Sequence, residues 1–162
     1  FAAFYLNRVN RSGVIKGGPI GGINQDGKYK LDARFNKSRL IEQIKIIAEH
    51  KEKIFVSNYD ACDMLSNGYL NQFKKSFINF DPPYVVKGSQ LYKNSFVEAD
   101  HISLRDAIKR TSRRWIVTYD VCDLVKELYS EYTHQTIPIS YSIGNTRRAS
   151  EYVFFSHNLT PP

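Results

Sequence analysis

Apolar and polar positions follow two regimes along this chain, and the change comes near Ser38. From Ser38 onward, helix-type spacing and short apolar runs alternate. SRLIEQIKIIAEH sets Leu40, Ile41, Ile44, Ile47 and Ala48 on one helix face. KIFVSNYD predicts a strand ending at Asp60, with a short helix after it around Ala61 to Leu65. FINFD predicts a second strand, ending at Asp81. ISLRDAIKR predicts a helix that Ser103 could cap, with Asp106 three positions on. WIVTYD predicts a third strand, ending at Asp120, and VCDLVKELYSEY the helix after it, with Val121, Leu124, Val125 and Leu128 inward. IPISYSI and EYVFFS, separated by GNTRRAS, predict an antiparallel pair. Such alternation predicts an α/β fold, a mostly parallel sheet with helices on its faces, closed by a C-terminal β-hairpin.

Before Ser38 the texture is different. Ala2 to Arg8 reads as the end of a helix. Asn10 to Lys37 holds six Gly, one Pro and several basic residues with little periodicity, which predicts a loop or a hairpin. Asp26-Gly27, between INQ and KYKLDARF, is a hairpin-type turn signal. The chain therefore divides at the sequence level into residues 1–37 and 38–162.

Charge narrows the class of partner. The formal net charge is +7 and the pI about 9.4, a balance that favours polyanions, nucleic acid first. The aromatic share of 14% leaves rings to spare for stacking once a core is filled. No apolar run has the length of a membrane span, and nothing reads as a secretory signal. Cys62 and Cys122 lack metal-ligand spacing and predict reduced thiols in a cytoplasmic protein. His50, His101, His134 and His157 are scattered, so no metal site is predicted. The chain opens on Phe1 in mid-pattern, as a fragment would.

The candidate chemistry sits where the predicted strands stop. Asn58-Tyr59-Asp60, Asn79-Phe80-Asp81 and Thr118-Tyr119-Asp120 each end a strand in an aromatic residue and an acid. Ligands of open α/β sheets bind outside the carboxyl ends of the strands. Asp60 and Asp120 each precede a helix, so an N-cap explains them equally well. Asp81 does not, because Pro82, Pro83 and Tyr84 follow it. The prolines have no N–H and hold φ near roughly −65°, so the loop is stiff and its carbonyls have few donors nearby. A carboxylate beside such a carbonyl can receive an amino group, and Tyr84 offers a flat face to a ring.

DPPY after an apolar strand resembles the catalytic motif of Dam-type adenine N6-specific DNA methyltransferases. FYLNRVNRSG, GKYKLDARFNK, VSNYDA, FDPPYVVKGSQLYKNSF and WIVTYD are similar to that family in the same order, over essentially the whole chain. The resemblance implies a partial Rossmann-like, S-adenosylmethionine-dependent methyltransferase fold, with a DNA-recognition loop or hairpin in residues 1–37 and the catalytic part in 38–162. It implies methyl transfer to an adenine flipped out of double-stranded DNA, in a cytoplasmic, DNA-associated enzyme, with a restriction endonuclease as a counterpart if it serves restriction-modification. Asp81, Pro82, Pro83 and Tyr84 would be catalytic. Asp81 would also lie near the methionine end of the cofactor, and Asp60 at its purine end. Arg8, Arg11, Ser12, Lys28, Lys30, Arg34 and Lys37 are the candidates for DNA contact, with Arg147 and Arg148 in the late hairpin loop. Tyr92, in a loop from Lys87 to Asn94 that would close over the base, is a further one.

The chain departs from the family in one respect. Members carry a Phe-x-Gly-x-Gly motif after the first strand, before the DNA-reading segment. It is not in this sequence, and GGPIGG, Gly17 to Gly22, follows no predicted strand. The acid that holds the cofactor ribose is missing too. The resemblance thus implies the C-terminal part of such an enzyme, with the N-terminal part as its partner if the protein is split. The alternatives are a catalytically incomplete DNA-binding fragment, or an amino-methyltransferase acting on RNA or protein.

Overall fold

The computed structural model of the chain describes residues 1–14, 16–86, 88, 95–141 and 147–162. It divides into two compact units, Phe1–Ser57 and Asn58–Tyr141 with Arg147–Pro162. The first unit thus takes in the helix that the sequence grouped with the catalytic part.

The second unit is built on a sheet in the order β1-β2-β4-β3, from β1 (Phe77–Phe80), β2 (Arg114–Asp120), β3 (His134–Tyr141) and β4 (Arg147–Phe155). β1 and β2 are parallel, Phe80 lying opposite Val117. β2 pairs antiparallel with β4, and β4 with β3, as expected of the last two segments. The sheet is therefore mixed, not mostly parallel. Pro138 sits on β3, an edge strand, where a missing N–H breaks no ladder.

β2 shows the period of two that a sheet imposes. Trp115, Val117 and Tyr119 are buried, while Ile116, Thr118 and Asp120 on the other face are only half-buried. The buried face joins Leu104 and Ile108 of the helix Glu98–Lys109, Val125 of the helix Asp123–Leu128, and Tyr129, Tyr132 and Phe154. The first of these helices starts earlier than the sequence indicated. Asp100 caps it by accepting from the Val97 N–H at 2.9 Å, whereas Ser103 lies inside and bonds the Ala99 carbonyl. Val121, expected inward, is exposed.

In the first unit, α1 (Ala2–Val9) sets Phe4 and Tyr5 edge-on against Phe35. α2 (Lys37–Glu49) is capped by Asn36. Of its expected apolar face only Leu40 is buried; Ile41, Ile44 and Ile47 are exposed. KIFVSNYD is not a strand. Residues 54–60 pair with nothing in the sheet, and Phe55 and Val56 are 84% and 92% exposed. A β-prone run becomes a strand only beside another strand, and this one has no neighbour among the described residues. The hairpin expected at Asp26-Gly27 is absent as well. The segment is a chain of turns in which the described residues make an isolated bridge, Asn10 to Pro19. Gln25 organises it: its side-chain N–H donates to the Ile20 and Gly22 carbonyls, and its Oε1 accepts from the Leu31 N–H. Gly21, at φ +88°, could carry no side chain, since a Cβ there would stand 2.7 Å from the Tyr29 carbonyl oxygen.

Candidate active site

Because β1 and β2 run parallel, Asp81 and Asp120 leave the sheet at the same end. Asp81 is exposed, and the proline after it is buried. The Thr118 hydroxyl, on the neighbouring strand, lies 3.2 Å from Asp81 Oδ1 and 3.4 Å from the Phe80 carbonyl. It can donate to one of these at a time, and either bond orients the chain where it leaves β1. Asp81 Oδ2 has no protein partner among the described residues.

Tyr84 is held from two sides. The Asp120 carboxylate accepts from the Val85 N–H through Oδ1 and from the Val86 N–H through Oδ2, both at 2.9 Å. The Tyr84 hydroxyl donates to Glu151 on β4. Charge-assisted bonds of this kind are roughly twice as strong as neutral ones. They also settle the two readings of Asp120. It caps no helix, since the N-cap of the next one is Cys122. Asp60 is an N-cap: its Oδ1 accepts from the N–H groups of Cys62 at 2.8 Å and Asp63 at 3.3 Å.

Most of the remaining predicted residues belong to the first unit. Arg11 and Lys28 line a hollow of about 290 Å³ with Gly21, Gly22 and Tyr29, and the Lys28 ammonium sits 5.7 Å from the centre of the Tyr29 ring. Lys30 is turned back onto the Gln25 carbonyl. Arg8 is half-buried, with Nε unpaired. Ser12 takes a left-handed φ of 58°. Arg34 and Lys37 are exposed, and Lys37 begins α2. Arg147 and Arg148 belong to β4, opposite Tyr141 and Ser140, and not to the loop before it, because the ladder runs further than the apolar pattern. Tyr92 and most of the Lys87 to Asn94 loop lie outside the described residues.

Sequence reasoning missed Thr118 and Glu151. Thr118 had a signal, since it shares a strand face with Asp120 by the period of two. Glu151 had a weaker one, as a lone acid opening the apolar run EYVFFS; it is only 8% exposed. Burial lifts the thiols of Cys62 and Cys122 above the ordinary thiol value. No cluster among the described residues could hold a metal ion. A hollow of about 700 Å³ opens at the opposite ends of β1 and β2, beside Phe77 and Arg114, well away from this chemistry.

The family profile described as D12 class N6 adenine-specific DNA methyltransferase matches residues 2–143. The chain belongs to that family. Among curated proteins none matches it. Adenine N6 methylation of DNA is the activity of that D12 class family. No helix among its described residues is long and apolar enough to cross a membrane.

Proposed function

We propose that this chain methylates the N6 nitrogen of an adenine flipped out of duplex DNA, with S-adenosylmethionine as donor. The observation that carries the reading is Asp81-Pro82-Pro83-Tyr84 leaving the end of a parallel strand, with the acid exposed and the ring clamped. The adenine amino nitrogen is a poor nucleophile because its lone pair is delocalised into the ring. Hydrogen bonds from its two N–H groups to Asp81 and to the Pro82 carbonyl localise that pair. Asp81 is also available for the proton that the alkylated nitrogen must lose. Tyr84 stacks on the base. Flipping the base costs roughly a few kcal/mol of unstacking.

The cofactor, when bound, supplies an electrophilic methyl group. Asp81, exposed at the end of the strand, suits its ammonium end. Asp60 suits the purine end less well, because its Oδ1 is engaged at the helix start. Arg8, Arg11, Lys28, Arg34 and Lys37 are proposed to contact the phosphates or base edges of the duplex, arginine being the better reader of guanine.

The test is incubation with duplex DNA and methyl-labelled donor, followed by digestion to nucleosides. Label should appear in N6-methyladenine, and Asp81→Ala should lower it by at least about 100-fold, the effect of losing one preorganised electrostatic partner. Label in RNA or protein instead, or label that survives in Asp81→Ala, overturns the reading. DNA binding with no label in any acceptor would favour a chain that binds DNA without turning it over, as the missing Phe-x-Gly-x-Gly motif would allow.

A further inference from the structure

We propose that Asp120 and Glu151 act together as positioning residues, which hold Tyr84 and the backbone behind it in the attitude a stacking ring needs. The inference rests on Tyr84 being that ring.

The two acids stand directly opposite each other in the antiparallel register of β2 and β4. Side chains in such a pair share a face, and like charges there destabilise the sheet. The arrangement is sustained because both carboxylates find donors in a single segment. Asp120 uses one oxygen for each of two successive N–H groups, Val85 and Val86. Glu151 takes the hydroxyl of the residue just before them, Tyr84. On the other side, Pro82 and Pro83 restrict φ. Tyr84 is thus a residue with stiff backbone before it, anchored backbone after it and an anchored tip. A ring held in this way loses little further freedom when a base stacks on it, which is the benefit of preorganisation. Neither acid need touch base or cofactor for this.

The test reads the loop directly, so it does not depend on turnover. Amide hydrogen exchange is followed at Val85 and Val86, and the ring resonances of Tyr84 are followed in ring-labelled protein. Asp120→Asn should speed exchange at both amides about tenfold or more, as loss of a charge-assisted acceptor would, while the β2–β4 ladder keeps its protection. Glu151→Ala should move the Tyr84 signal well away from its wild-type position. Glu151→Gln, which keeps an acceptor oxygen, should hold it near wild type. With DNA as acceptor, Glu151→Ala should lower kcat about tenfold at unchanged KM, Glu151→Gln should stay within about twofold, and Tyr84→Phe with Glu151→Ala should be no worse than either alone.

Unchanged exchange at Val85 and Val86 in Asp120→Asn overturns the proposal, and so do equal effects of Ala and Gln at Glu151. Should Glu151→Ala not fold, Tyr84→Phe and Asp120→Asn decide the matter. A wild-type chain that shows the clamp by exchange and resonance but transfers no methyl would sink the functional reading and leave the clamp standing.

Discussion

Residues 81–86 after β1 and the turns around Gln25 in the first unit both lie outside strands and α-helices, and they are held in opposite ways. Around Tyr84 the bonds come from far along the chain. Asp120 lies 35 residues beyond Val85, and Glu151 lies 67 beyond Tyr84. Around Gln25 they come from three to six residues away. The first loop takes its anchors at Tyr84, Val85 and Val86 from strands of a sheet. The second carries its geometry in its own sequence, through one glutamine and glycines at positive φ. A site that must hold a reacting group within fractions of an ångström suits the first construction. A surface that follows a groove suits the second, since local turns rearrange without unfolding anything else.

Phe154 is fully buried among Tyr129, Tyr152 and His134. Phe154→Ala should destabilise the second unit by about 3–5 kcal/mol. Exchange protection at Val85 and Val86 should then fall with that of the strands, while the turns around Gln25 keep theirs. Joint collapse of both regions would mean that they are not built independently. The converse substitution is Gln25→Ala, which removes the acceptor of the Leu31 N–H and the donor to two carbonyls. Leaving those groups unpaired costs about 1–3 kcal/mol, and less where water replaces the lost partner. Amides from about Gly22 to Leu31 should exchange faster, DNA affinity should drop, and the β2 amides should not respond. Faster exchange at β2 in this variant would sink the idea that the segment is locally coded.

The same contrast explains what the sequence could and could not disclose. β2 and β4 were legible as apolar runs with several buried positions; β1 and β3 were legible as short apolar runs, although only Phe80 of β1 and none of the described positions of β3 is buried. KIFVSNYD has the same look and is no strand, since pairing needs a partner that composition does not reveal. Asp81 and Tyr84 could be found because the motif is contiguous. The acids that hold the loop could not be assigned, for a bond between residues 67 apart depends on register, and register is a property of the folded sheet. Asp120 shows the ambiguity: the sequence allowed both a cap and a rim acid, and it turned out to be the anchor of another segment's backbone. The glycine-rich turns were legible as irregular but not in detail, because Asp26-Gly27 signals a hairpin only where flanking strands exist.

The smallest expected effect separates the two regions by pH. His101 is buried in the second unit, with its Nδ1 2.9 Å from the Tyr119 hydroxyl, Phe96 against the ring and Nε2 unpaired. Burial holds the imidazole below its ordinary value of 6.5, and the carboxylates of Asp100 and Asp120 oppose this only in part. The folded state therefore takes up this proton less readily than the unfolded chain. Its contribution to stability is fully present above about pH 6.5, where both states are neutral at this site, and is lost as the pH falls below that value. Urea unfolding followed at β2 amides should thus show a stability that declines on acidification from pH 7.5 to 5.5. His101→Gln should flatten that decline, and the amides around Gln25 should show no matching change in either protein. An equal slope in wild type and variant would assign the acid sensitivity to other groups, leaving the sheet and the turns indistinguishable by pH.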